Sequence, residues 1–135
     1  MTLTVIIPAY NERETIETII DRVARTPFSK TIVVVDDGST DGTPAILKRL
    51  EQHYAGMLQC VYNERNRGKG HAIKSGLERA TGEIVVIQDA DLEYHPEEYG
   101  RAIDLIENGW ADAVYGSRFL GVHRVFLFWH YVGNK

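Results

Sequence analysis

The chain has 135 residues, 44% of them apolar and 25% charged, which is the balance of one globular domain with a single core. Its net charge of −4 argues against a nucleic-acid partner, which calls for a basic surplus. A lone cysteine, Cys60, excludes an intrachain disulfide framework and a cysteine-based zinc site.

Residues 3–8 form a short apolar, β-branched run that predicts a buried strand. Asn11 is expected to cap the next helix, with Glu14 completing a capping-box-like pair. Ile16, Ile19, Ile20, Val23 and Ala24 then recur at helical spacing. Residues 31–36 predict a second buried strand and 37–42 a turn. Thr43 as N-cap and Pro44 as first helical residue open a second helix, with Ile46, Leu47 and Leu50 inward. Residues 57–62 predict a third strand, in which Cys60 reads as a buried, unreactive thiol. After a polar, basic loop over 63–70, residues Ala72, Ile73, Gly76, Leu77 and Ala80 give a third helix face, ended by Gly82. Residues 84–87 predict a fourth strand. Pro96 starts a fourth helix through Ala102, Ile103 and Ile106, stopped by Gly109, and residues 112–116 predict a fifth strand. No basic n-region precedes the first strand, and no stretch reaches the ~20 apolar residues of a membrane-spanning helix, so the chain is expected to be cytoplasmic.

Alternating strands and helices at this spacing predict an α/β fold, a mostly parallel sheet with helices on both faces. Ligands bind such sheets beyond the carboxyl ends of the strands. Chemistry is therefore expected just after Pro8, after Asp36 and after Ile87, where the polar clusters stand. At the first, Tyr10 offers a ring that can stack on a base, and Glu12 offers acceptors; a strand-to-helix turn explains the same residues. At the second, Asp36 and Asp37 suit hydroxyls and base nitrogens, while Gly38 and Gly42 fit a turn. At the third, Asp89 and Asp91 stand two apart and face one side in extended backbone. Two converging carboxylates are costly unless a cation or proton neutralises them, and a hard divalent ion with oxygen ligands does so; solvated turn acids are the competing reading. Glu93 offers a third ligand.

The loop Asn66-Arg67-Gly68-Lys69-Gly70 is no Walker A motif, because Gly70 follows Lys69 where Ser or Thr belongs. Arg67 and Lys69 can still meet a diphosphate, or simply be a solvated basic loop. After the fifth strand, Arg118 is placed to reach the same crevice, where its planar fork suits diphosphate oxygens, or to form a surface ion pair. His123 and His130 lack the companions of a zinc set.

Together, Pro8-Ala9-Tyr10-Asn11-Glu12, Val35-Asp36-Asp37-Gly38-Ser39, Gly68-Lys69-Gly70, Asp89-Ala90-Asp91-Leu92 and Gly116-Ser117-Arg118 resemble family 2 glycosyltransferases. Their order and spacing are similar to the dolichyl- or polyprenyl-phosphate mannosyltransferase branch, over nearly the whole chain. The resemblance implies a Rossmann-like GT-A fold, a GDP- or UDP-linked sugar donor (mannose above other sugars), a polyprenyl phosphate acceptor, Mg²⁺ or Mn²⁺, and inversion at the anomeric carbon. Carried over by position, Pro8, Tyr10, Glu12, Val35 and Asp37 hold the nucleoside. Asp89, Ala90 and Asp91 lie at the diphosphate and metal, with Asp91 a direct ligand and Glu93 where another often stands. Arg118 contacts the diphosphate.

The resemblance also implies a longer chain, with residues 1–118 as the donor-binding core and 119–135 as the start of an acceptor-side region. It implies an antiparallel strand between the fourth and fifth strands, so the sheet must rearrange or 119–135 must cover the gap. Two readings stand for the aromatic stretch from Phe119 to Val132: a peripheral contact at the cytoplasmic membrane face, or a helix that packs on the rest of the fold. Two other functions stay open. One is a non-catalytic nucleotide-sugar-binding module. The other is a nucleotidyltransferase, disfavoured because Ala9-Tyr10-Asn11-Glu12 stands where that class has a glycine-rich basic loop.

Overall fold

The computed structural model describes residues 2–92, 95–115 and 127–130. Strands β1 (Leu3–Ala9), β2 (Lys30–Asp36), β3 (Leu58–Tyr62) and β4 (Ile84–Ile87) pair in parallel. Val5 stands opposite both Ile32 of β2 and Val86 of β4, so the three central strands share one register. Helices cover both faces, which is why these strands are continuous apolar runs rather than alternating ones.

Side-chain alternation divides the core between the faces. Leu3, Val5, Ile7, Ile32, Val34, Ile84 and Val86 pack with three helices: α1 (Ile16–Ala24), α2 (Thr43–His53) and α4 (Tyr99–Glu107). Ile6, Val33, Val35, Val85 and Ile87 turn the other way, toward α3 (Lys69–Leu77) and Ala80. Each fully buried aliphatic side chain contributes on the order of 1.5–3 kcal/mol of transfer free energy. The α3 face needs Gly76, because a Cβ there would lie 2.5 Å from Cγ2 of Ile6. Cys60 is half-buried, and burial pushes its thiol up to about 12, in keeping with an unreactive side chain.

Among the described residues the sheet has six strands in the order β3-β2-β1-β4-β6-β5, with β5 at Ala113–Tyr115 and β6 at Leu127–His130. Strand β6 runs antiparallel to both neighbours, with Phe128 opposite Val86 on one side and Val114 on the other. The helix expected within 119–132 is therefore a strand over its described part, and it fills the gap between the fourth and fifth strands. The cause is tertiary. Ile84, Val85 and Val86 are fully buried, and their edge-facing backbone groups need hydrogen-bond partners that no water supplies.

Local signals were less faithful at helix starts. The N-cap of α1 is Thr15, not Asn11, which takes φ +53° and bonds elsewhere. Thr43 is the first residue of α2 and Gly42 its cap. Helix α3 begins at Lys69, so the Gly-Lys-Gly motif opens it. Among the described residues, no helix is long and apolar enough to cross a membrane.

Candidate active site

Because β1, β2 and β4 are parallel, their carboxyl ends share one edge. There the backbone N–H of Asp37 donates to Ala9 O (2.8 Å) and that of Gln88 donates to Ile6 O (2.9 Å). The three polar clusters meet along this edge around a cleft of about 310 Å³. Pro8, Tyr10 and Glu12 line it from β1. Asp37 lines it from β2, Asp89 to Asp91 from β4, and Gly68 with Lys69 from the start of α3. Tyr10 lines the cleft and is 44% exposed.

Asp36 and Asp37 point to opposite faces and do different work. Asp37 is 4% exposed, and its carboxylate accepts three bonds: from Asn63 Nδ2 (3.0 Å), Arg67 N (3.0 Å) and Gly68 N (2.9 Å). Burial alone would raise its pKa, but these three bonds outweigh burial and hold it below the ordinary value. Asp36 is 2% exposed; Oδ2 accepts from Ser39 N at 3.4 Å, and Oδ1 has no hydrogen-bond partner among the described residues. Burial pushes its pKa up. Gly38 follows with φ +77°, and a Cβ there would meet the carbonyl carbon of Arg65 at 2.4 Å. The turn after β2 therefore packs directly on the loop that leads to α3.

The segment after β1 is latched to that same turn. Asn11 donates its backbone N–H to Ser39 Oγ (2.8 Å), and its side-chain Oδ1 accepts from Thr40 N (2.8 Å). Glu12 N donates to Thr43 Oγ1 (3.1 Å), whose hydroxyl donates to Asp41 Oδ1 (2.6 Å). Glu12 Oε2 accepts from Thr15 Oγ1 at 2.9 Å. Tyr10 and Glu12 thus reach the cleft on a backbone fixed from both sides of the turn.

The aspartate loop after β4 is fixed from beneath. Gln88 and Tyr99 are fully buried; the Tyr99 hydroxyl donates to Gln88 Oε1 (2.5 Å), and Gln88 Nε2 donates to Asp89 O (3.2 Å). Asp89 Oδ1 pairs with Lys69 Nζ at 2.5 Å, with the lysine side chain 58% exposed and the aspartate 24%. Asp91 lines the same cleft, half-buried.

Of the residues singled out from sequence, Pro8, Tyr10, Glu12, Asp37, Lys69, Asp89, Ala90 and Asp91 come together here. Val35 does not line the cleft; it is buried in β2 with Val33 and Ala72. Glu93 and Arg118 lie outside the described residues. Strand β5 is parallel to β4 and so delivers the chain to the same edge at Tyr115. Sequence reasoning missed Asn63, Gln88, Tyr99 and the Asn11–Thr40 latch. Only Gln88 carried a signal, as a polar residue directly after four buried ones, which must find a partner.

For a divalent cation, Asp89 and Asp91 offer the hard oxygen donors that such ions take, and Lys69 already rests as a cation on one of them. Among the described residues, no group of three or more His, Cys, Asp or Glu side chains converges as a complete cage. Two carboxylates fit an ion that fills its remaining positions with water and substrate phosphate.

Comparison with known proteins agrees with this arrangement. The chain is 36% identical over 122 residues to the dolichol-phosphate mannosyltransferase of Pyrococcus furiosus, covering 89% of this chain and 34% of that protein. It is 35% identical over 112 residues to an undecaprenyl-phosphate 4-deoxy-4-formamido-L-arabinose transferase of Pseudomonas savastanoi, covering 80% of this chain and 33% of that one. The chain thus spans about a third of these relatives' length. Among solved structures, the mannosyltransferase PcManGT of Pyrobaculum calidifontis, in complex with GDP-Man and Mn²⁺, superposes with a TM-score of 0.79 at 30% identity, covering 95% of this chain and 44% of that one. With residues 4–133 matched by the model of glycosyl transferase family 2, and with the parallel sheet and edge cleft described above, the chain belongs to that family.

Proposed function

We propose that this chain forms the donor site of an inverting glycosyltransferase that moves a sugar, mannose in the first instance, from a nucleoside diphosphate to a polyprenyl phosphate. The observation that carries the reading is the meeting of Tyr10, Glu12, Asp89 and Asp91 in one cleft at the carboxyl edge of a parallel sheet. The relatives' names supply the substrate class: dolichol phosphate and undecaprenyl phosphate for two of them, GDP-mannose for the third.

In this reading Tyr10 stacks on the base and Glu12 accepts from the base or ribose. Asp37 lines the cleft on the nucleoside side and, by holding the backbone N–H groups of Arg67 and Gly68, also sets the start of α3 at the diphosphate end. Asp89 and Asp91, with Glu93, hold Mg²⁺ or Mn²⁺. Such an ion, when bound, screens the diphosphate charge that grows as the sugar departs. Lys69 and Arg118 donate to the same diphosphate oxygens, which is electrostatic stabilisation of the leaving group. The acceptor phosphate oxygen attacks the anomeric carbon in line. It is already anionic, so no strong general base is required. A lipid-borne acceptor places the reaction at the cytoplasmic membrane face.

The test is sugar transfer by the full-length protein that carries this sequence, from GDP-mannose or a UDP-sugar to polyprenyl phosphate. Transfer that falls at least a hundredfold in a folded Asp91→Ala variant supports the reading. Full transfer by that variant refutes the assigned site.

A further inference from the structure

Lys69 and Asp89 are not equals. The carboxylate is the less exposed partner, at 24% against 58%, and its backbone carbonyl is tied down by Gln88, itself held by Tyr99. The lysine stem rises from the first residue of α3, just after Gly68 is anchored on Asp37, and more than half of it is in solvent. The ammonium is therefore the member of the pair that can swing, over a fixed attachment point at the cleft. It rests on a carboxylate that the proposed function gives to a divalent ion. Two cations on one carboxylate repel, so each weakens the hold of the other, and an ion on Oδ1 must displace the lysine.

We infer that Lys69 is a resident counter-cation: it neutralises Asp89 while the donor site is empty, yields that carboxylate to a divalent ion, and then turns to the incoming diphosphate. This rests on the metal reading above and adds a coupling to it. One side chain opposes the ion when it arrives alone and favours it when it arrives with a nucleotide. An ordered site follows, in which free ion binds weakly and the nucleotide–ion pair binds well.

The experiment is calorimetric titration of Mn²⁺ into the protein, alone and then with saturating GDP or UDP, for wild type, Lys69→Gln and Lys74→Gln. Lys74 is an exposed lysine on the same helix and controls for the loss of one charge. Without nucleotide, Lys69→Gln is expected to bind Mn²⁺ about two- to fivefold more tightly, the range an exposed ion pair supports. With nucleotide the sign reverses, and Lys69→Gln binds about five- to tenfold more weakly. Lys74→Gln follows wild type in both. Unchanged or weaker binding of Mn²⁺ alone by Lys69→Gln overturns the inference, as does equal tightening by Lys74→Gln. Absence of Mn²⁺ binding to every variant, with and without nucleotide, overturns the metal reading and the inference with it.

Discussion

Gly68 donates its backbone N–H to Asp37 Oδ2 at 2.9 Å, and this bond ties the start of α3 to the end of β2 across thirty-one positions of chain. With the bonds from Arg67 and Asn63, it makes Asp37 the anchor of the 63–68 loop. Asp37→Ala is expected to cost about 2–3 kcal/mol, the scale of charge-assisted bonds lost from a buried group. The check is urea denaturation. A change below about 0.5 kcal/mol would mean that the loop holds itself.

Asp36 and Asp37 should respond to pH with opposite sign. Asp37 has a lowered folded pKa, so its stabilisation is present above the unfolded pKa and lost as pH falls through the folded one. Asp36 has a raised folded pKa, so it destabilises at pH 7, and that penalty disappears as pH falls through its folded pKa. The stability of Asp36→Asn relative to wild type should therefore fall between pH 7 and pH 4. Denaturation curves across that range decide it; a constant difference would rule out the buried-charge penalty.

The Gly38 turn admits no side chain. Gly38→Ala would adopt a left-handed φ and drive its Cβ into the backbone at Arg65. The expected loss is about 2 kcal/mol or more, seen as a fall in Tm of several degrees. The same substitution at Gly42, where a Cβ meets nothing within 4 Å, should leave Tm nearly unchanged.

Tyr99→Phe removes the hydroxyl that satisfies Gln88 and leaves a buried amide oxygen without its partner. The expected cost is about 1–3 kcal/mol in stability. Because Gln88 also holds the carbonyl of Asp89, nucleotide–metal affinity should weaken although Tyr99 does not line the cleft. Unchanged affinity in this variant would show that the aspartate loop is held elsewhere.

The strands and helix faces were legible because burial writes itself into composition. Runs such as Ile32 to Val35 and Ile84 to Ile87 are apolar without a break, and Ile16, Ile19, Ile20 and Val23 repeat at helical spacing. The antiparallel strand between β4 and β5 was implied by the family resemblance, but its place at Leu127–His130 was not legible from the residues, because they lie in a longer aromatic stretch whose form is decided by the edge of β4. Asn11 was misread as a cap because the same side chain that caps a helix also suits a left-handed turn. The cleft residues Tyr10, Glu12, Asp89 and Asp91 were found because strand ends on a parallel sheet must converge. The anchoring role of Asp37 was hidden because two of its three donors are backbone N–H groups, which have no sequence signature.

The central claim is that this cleft binds a nucleoside diphosphate together with a divalent ion. Calorimetric titration with GDP and with UDP, each with and without Mn²⁺, addresses it directly in wild type and Asp91→Ala. The account predicts that one nucleotide binds, more tightly with Mn²⁺, and that Asp91→Ala abolishes the gain from the ion. Binding of neither nucleotide by the folded chain, or an Mn²⁺ effect that survives Asp91→Ala, would contradict it.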